Sequence, residues 1–239
     1  LIFDSLSDSR KPMTIYTHTL DAMPQTLPVG KVVCVGRNYA AHARELNNPV
    51  PAEPVLFIKP ATALVNLEQP VSIPLQFGAC HFEAEMAVLI GERLTSCNEQ
   101  QAVSAIAGVG VALDLTLREL QSALKEKSLP WEKAKAFDGA CPISAFVSLQ
   151  NIEDLQNQQI QLRQNGELQQ DGNSADMLAP VLPLLVYISQ FFTLSPGDIV
   201  LTGTPAGVGP LTPGDRLEIS TWGYNERRNQ GLWQGIEVI

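Results

Sequence analysis

Cysteine is scarce in this chain: four thiols among 239 residues (Cys34, Cys80, Cys97 and Cys141), far apart and with no C-x-x-C pair. That spacing excludes a disulfide framework and a zinc ribbon, and it fits a reducing, cytoplasmic setting. Histidine is scarcer, with three residues (His18, His42, His81), so few side chains can serve as a base near neutral pH. Long apolar runs are missing too. The longest, Leu178 to Ile188, is broken by Pro180 and Pro183 and falls short of the roughly 20 residues a membrane helix needs. No secretory signal pattern is visible. Positive charge is in deficit, with 16 Lys+Arg against 25 Asp+Glu and a net charge of -9. Nucleic acid and anionic membranes are therefore poor candidates as partners.

What is present is an ordinary globular composition, 45% hydrophobic and 17% charged, in a chain long enough for one large core. Residues 1–30 read as an N-terminal extension with small strands, and 31–239 as a single catalytic domain. Met13 is a possible natural start, which would make Leu1 to Pro12 a leader.

The chain is organised around His81-Phe82-Glu83-Ala84-Glu85-Met86, where apolar and polar residues alternate before the run turns wholly apolar up to Gly91. Period-two alternation reads as a strand, with Glu83 and Glu85 on one face. Two like charges one pleat apart are stable only if solvated or if they hold something positive. Val109 to Leu113 reads as a second apolar strand, delivering Asp114 at its end. Asp114 is there either a functional carboxylate or a mere cap.

The remaining elements follow from local signals. Lys31 to Gly36 is a strand pattern opening into a helix from Arg37 to Leu46, with Asn38 as its N-cap. His42 and Glu45, at i and i+3, share a face of that helix, as a working pair or as incidental surface. Val55 to Lys59 is another strand. Asn98 and Gln101 form a capping box for a helix ending before Gly108. Thr116 to Glu119 reads as a second capping box, with Arg118, Gln121 and Lys125 on one helical face. Lys133 and Lys135 lie in a polar stretch where lysines are usually solvated. Asn165-Gly166 signals a type I′ hairpin, and a helix is expected from Ser174 or Asp176 through Phe191. The two Pro-Gly turns at Ser195 and Thr212 each feed a strand. Between them, Leu201 to Pro210 reads as a tight, polar loop whose N–H groups approach a small anion. Residues 217–238 read as a closing hairpin. Strand signals dominate, so the fold class is α+β and β-rich.

If Glu83, Glu85 and Asp114 converge, three carboxylates make a hard, oxygen-only site for Mg²⁺, Mn²⁺ or Ca²⁺. His81, on the same strand face, makes a mixed histidine–carboxylate site for iron or manganese a rival. A 2-oxo acid is the natural chelating ligand, and the ion would stabilise its enolate.

The blocks Gly36-Arg37-Asn38-Tyr39-Ala40-Ala41-His42, Glu83-Ala84-Glu85, Leu113-Asp114-Leu115-Thr116-Leu117-Arg118, Leu129-Pro130-Trp131, Lys135-Ala136-Phe137, Cys141-Pro142 and Gly203-Thr204-Pro205-Ala206-Gly207-Val208-Gly209 occur here in one order. Together they closely resemble the fumarylacetoacetate hydrolase family, most of all its acylpyruvate hydrolase and oxaloacetate decarboxylase-like branch. The resemblance implies a mixed β-roll core with a few peripheral helices, and a homodimer. It implies Mg²⁺ or Mn²⁺ on Glu83, Glu85 and Asp114, with His42, Glu45 and Lys135 catalytic and the His42–Glu45 segment closing as a lid. Arg37, Arg118, Gln121 and Thr204 are implied as substrate-binding residues. The expected activity is divalent-metal-dependent hydrolysis of a carbon–carbon bond in acylpyruvates. The alternatives are oxaloacetate decarboxylation or tautomerisation, hydroxy-dienoate isomerisation, and a non-catalytic metabolite-binding role. The segment Trp222 to Trp233 is longer and more polar than the resemblance leads one to expect.

Overall fold

The computed structural model describes residues 16–222 and 232–239. The proposed leader and most of the polar Trp222–Trp233 segment lie outside the described residues.

Continuous apolar strands need both faces covered, and the central mixed sheet meets that need. Its strands run in the order Val55–Lys59, Val32–Gly36, Ile199–Leu201, Ala84–Ile90, Ile106–Leu113, Cys141–Ile143 and Leu64–Asn66, with Val147–Ser148 added alongside Ile106–Leu113. Ile199–Leu201 runs parallel to Val32–Gly36, and Cys141–Ile143 parallel to Leu64–Asn66; the other pairings are antiparallel. The two-residue period sorts the side chains into two cores. Val33, Val35, Met86, Val88, Val111, Leu113 and Val200 pack on one face. Val32, Cys34, Ala87, Leu89, Ala112, Ile199 and Leu201 pack on the other.

A four-stranded antiparallel sheet, Glu167–Asn173, Gln159–Gln164, Arg216–Trp222 and Leu232–Glu237, covers the first face. Gly209–Pro210, Cys80–Phe82 and Thr116–Leu117 form a small sheet beside the site. Among the described residues, five short α-helices lie around these sheets: α1 (Ala40–Glu45), α2 (Glu99–Ser104), α3 (Arg118–Glu126), α4 (Glu132–Lys135) and α5 (Val181–Phe191). This is the β-rich mixed roll expected from the sequence. No helix among the described residues is long and apolar enough to cross a membrane.

Several local readings hold. Asn98 and Gln101 form their reciprocal capping box, and Asn165 and Gly166 both take positive φ at the hairpin turn. Arg216–Trp222 and Leu232–Glu237 pair as the closing hairpin.

Others need correction. The strand at residues 81–91 is interrupted at Glu83, leaving Cys80–Phe82 and Ala84–Ile90. The helix expected from Ser174 is a 3₁₀ turn, Ser174–Asp176, followed by extended chain and then α5 from Val181. Pro180 accounts for the break, because it pushes the preceding residue out of helical backbone. Gly108 lies inside a strand, where a Cβ would meet Val147 O at 2.7 Å. Neither Asn38 nor Thr116 caps a helix. Asn38 Nδ2 donates to Ala179 O (3.0 Å) and Thr202 O (2.8 Å), while Thr116 Oγ1 donates to Asp114 O (3.0 Å).

Candidate active site

The antiparallel pairing of Ala84–Ile90 with Ile106–Leu113 places Ala84 opposite Leu113. One residue further along the ladder, Asp114 N–H donates to Glu83 O (2.8 Å), so Glu83 and Asp114 are cross-strand neighbours. Glu85 follows Glu83 by one two-residue period and faces the same way. One oxygen from each carboxylate lies within 4.8 Å of the other two, and all three residues are buried. His81 lies outside this group; its Nδ1 is buried without a hydrogen-bond partner. The mixed histidine–carboxylate reading therefore loses its histidine.

Three buried acids need compensation, and two of them receive it from cations. Lys135 Nζ bridges Glu83 Oε2 (2.8 Å) and Asp114 Oδ2 (2.7 Å). Arg118 donates to Glu83 Oε1. Lys59, fully buried, sits 2.8 Å from Asp114 Oδ1 and donates to Ala140 O (3.0 Å) and to Lys135 O. Burial raises the Glu83 pKa, but Lys135 and then Arg118 outweigh it and hold this carboxyl well below the usual range. Glu85 differs. It accepts one N–H, from Gly203 (2.7 Å), and pairs with no cation among the described residues. Burial, followed by the charges of Asp114 and Glu83, pushes its pKa well up. An oxygen-only donor set with one acid lacking a counter-charge fits a hard divalent cation.

Lys135 is thus no solvated loop residue. Its backbone is the last turn of α4, and burial, which lowers its pKa, is outweighed by Asp114 and Glu83, so it remains an ammonium.

Over the acids lies α1. His42 Nδ1 is 3.3 Å from Glu45 Oε2, as the i, i+3 spacing requires. Glu45 Oε1 accepts Gly207 N–H (3.0 Å). The 203–209 loop does present N–H groups to anions, but these are the protein's own Glu85 and Glu45. Gly203 and Gly207 both have positive φ, and a Cβ on Gly207 would meet Gln169 O at 1.9 Å.

Arg37, His42, Glu83, Glu85, Asp114, Arg118, Gln121, Lys135 and Thr204 line one cleft together with Lys125 and Trp131. Glu45 reaches it through His42. Gln121 Oε1 accepts from Arg118 Nη1 (3.0 Å), which leaves its amide N–H groups for the cleft. The Thr204 hydroxyl is already committed: it donates to Ala84 O (2.9 Å) and accepts from Gln170 Nε2 (2.8 Å). Gln170 also accepts from Ala84 N–H (2.9 Å), tying the antiparallel sheet to the site. Sequence reasoning missed both Lys59 and Gln170. The one available signal was a lysine closing an otherwise apolar strand. The four cysteines are buried, and burial pushes Cys80 and Cys141 up to about 12, so neither acts as a thiolate near neutral pH.

Comparison with known proteins places this geometry in context. The chain is 54% identical over 199 residues to oxaloacetate tautomerase YcgM of Escherichia coli (strain K12), covering 83% of this chain and 91% of that protein. It is 43% identical over 192 residues to the mitochondrial oxaloacetate tautomerase FAHD1 of Bos taurus, covering 80% and 87%. Fumarylpyruvate hydrolase from Pseudomonas aeruginosa, solved in complex with Mn²⁺ and pyruvate, superposes with a TM-score of 0.86 at 34% identity, covering 97% of this chain and 98% of that one. Residues 31–231 match the fumarylacetoacetate (FAA) hydrolase C-terminal family, and the chain belongs to that family of enzymes.

Proposed function

We propose that this enzyme interconverts the keto and enol forms of oxaloacetate or a closely related 2-oxo acid. The observation that carries the reading is the His42–Glu45 pair, set in the same cleft as the buried Glu83, Glu85 and Asp114 cluster. The tautomerase relatives support it over acylpyruvate hydrolysis, the leading expectation from sequence, which becomes the second reading.

A divalent ion on Glu83, Glu85 and Asp114, Mg²⁺ or Mn²⁺, would supply a chelating seat for the 2-oxo acid and Lewis-acid stabilisation of enolate charge. The protein's own groups do the rest. Glu45 holds His42 through Nδ1, so Nε2 is the nitrogen left to take the proton from C3 of the keto form. Lys135, kept protonated by its acidic neighbours, places a fixed positive charge where oxygen charge develops. Gln121 offers N–H donors to the substrate oxygens. The C3 proton passes through Nε2 to water and the C2 oxygen gains a proton from water, a net isomerisation with no bond to carbon hydrolysed. A cytoplasmic homodimer is part of the same reading, on the family resemblance.

The test follows loss of enol absorbance for oxaloacetate alongside cleavage of acetylpyruvate. Wild-type enzyme should accelerate ketonisation, lose activity in excess chelator, and wash deuterium into C3 from heavy water. Rapid acetylpyruvate cleavage with no effect on oxaloacetate tautomerisation would return the assignment to hydrolase.

A further inference from the structure

Four cationic side chains line the cleft: Arg37, Arg118, Lys125 and Lys135, against three carboxylates. Arg118 and Lys135 are engaged with Glu83 and Asp114. Arg37 and Lys125 are not; among the described residues neither ion-pairs with a carboxylate. Lys125 Nζ lies over the Trp131 ring, 5.4 Å from its centroid, which holds the ammonium at the cleft wall. Partial burial, then Arg37, then Arg118 lower the Lys125 pKa, and the opposing pull of Glu83 is the weakest of its neighbours' effects, so these two cations feel each other.

Arg37 adds an independent oddity. It has φ 61, left-handed backbone that a non-glycine residue adopts at a cost of about 1 kcal/mol or more, directly after a central strand. A strained arginine and a half-buried lysine, both without an ion-pair partner among the described residues and facing one cleft, are costly to hold together unless an anion joins them.

We propose that Arg37 and Lys125 form a second-carboxylate subsite that makes this enzyme select dianionic 2-oxo acids, with a carboxylate beyond C3, over 2-oxo acids ending in an alkyl or aryl group. The inference rests on the proposed function, in which the 2-oxo end sits on the Glu83–Glu85–Asp114 side. The substituent on C3 then meets the unpaired cations. Charge-assisted hydrogen bonds to a carboxylate are the strong ones, and a guanidinium can bind it through two parallel N–H donors.

The experiment compares kcat/KM for tautomerisation of oxaloacetate with that of phenylpyruvate, a monoanionic 2-oxo acid, in wild type, Arg37→Met, Lys125→Met and the double variant. Oxalate affinity of the Mn²⁺-loaded enzyme, measured by calorimetry, checks the 2-oxo seat separately. Each single substitution should lower the oxaloacetate-to-phenylpyruvate ratio by about 10-fold or more, chiefly through KM, with oxalate affinity held within about 3-fold. Lys125→Arg, which keeps the charge, should retain most of the ratio. An unchanged ratio with oxalate binding intact overturns the subsite. If the methionine variants also lose oxalate, Lys125→Arg decides, and collapse of its ratio overturns the subsite as well. Failure of the underlying reading looks different: wild-type enzyme that accelerates neither tautomerisation.

Discussion

Asp215 and Glu83 are both acids whose carboxyl lies below its ordinary pKa, and they reach that state by opposite means. Asp215, in the turn before Arg216–Trp222, is half-buried and surrounded by neutral donors: Thr212 N–H (2.7 Å), Gln164 Nε2 (2.8 Å) and Asn165 Nδ2 (2.8 Å). Water can replace any of them. Glu83 sits in the interior, and its donors are Lys135 and Arg118, which are themselves buried or nearly so. At the turn, each hydrogen bond comes from a neutral donor and is replaceable; in the cleft, every charge is the reason its neighbour can be there. Damage should therefore spread from the cleft and stay local at the turn.

The sharpest way to test the contrast is inside the acid cluster. Glu85→Gln or Asp114→Asn should reduce turnover on the order of 10³-fold, with weakened Mn²⁺ binding by calorimetry. Full activity in either variant would remove the cluster from the chemistry. His42→Ala should cost about 10²-fold or more in kcat and leave Mn²⁺ affinity near the wild-type value, since His42 belongs to the proton path and not to the acids. A parallel loss of metal affinity would merge the two roles.

Lys59→Met probes stability. It leaves Asp114 with one cation, Lys135, in place of two in a fully buried spot, and urea denaturation should show a loss of about 3 kcal/mol. Adding Asp114→Asn should recover part of it, because the carboxylate that lost one of its two cations goes too.

Asp215→Asn marks the other end of the scale, with a loss of about 1 kcal/mol or less and unchanged turnover. Its pH signature has a fixed sign. A carboxyl lowered on folding contributes stability that is complete above its unfolded pKa of about 3.9 and fades as pH falls through the lower folded value. The variant should flatten that acid limb slightly; a steeper limb would reverse the assignment.

Much of this contrast could be read before any coordinates. Alternation at residues 81–86 and the short apolar strand ending at Asp114 are local patterns, and three of the site's acids fall on them. His42 and Glu45 needed only helical spacing. What stayed hidden was long-range. Lys59 meets Asp114 from a strand 55 positions earlier in the chain, and Gln170 meets Ala84 and Thr204 from a separate sheet. No local period encodes such partners. Asn38 and Thr116 misled for the same reason: each had an attractive local job as a cap, and a tertiary hydrogen bond took precedence.

Lys59 also bears on how this molecule can change over generations. Its ammonium is satisfied by Asp114 and by carbonyls of Ala140 and Lys135, all distant in sequence. A lineage that loses Asp114 first leaves the Lys59 ammonium with carbonyls alone in dry surroundings, and one that loses Lys59 first leaves Asp114 with only Lys135, which Glu83 shares. Drift at this pair should therefore run through simultaneous replacement or not at all, while the Asp215 turn is free to wander one residue at a time.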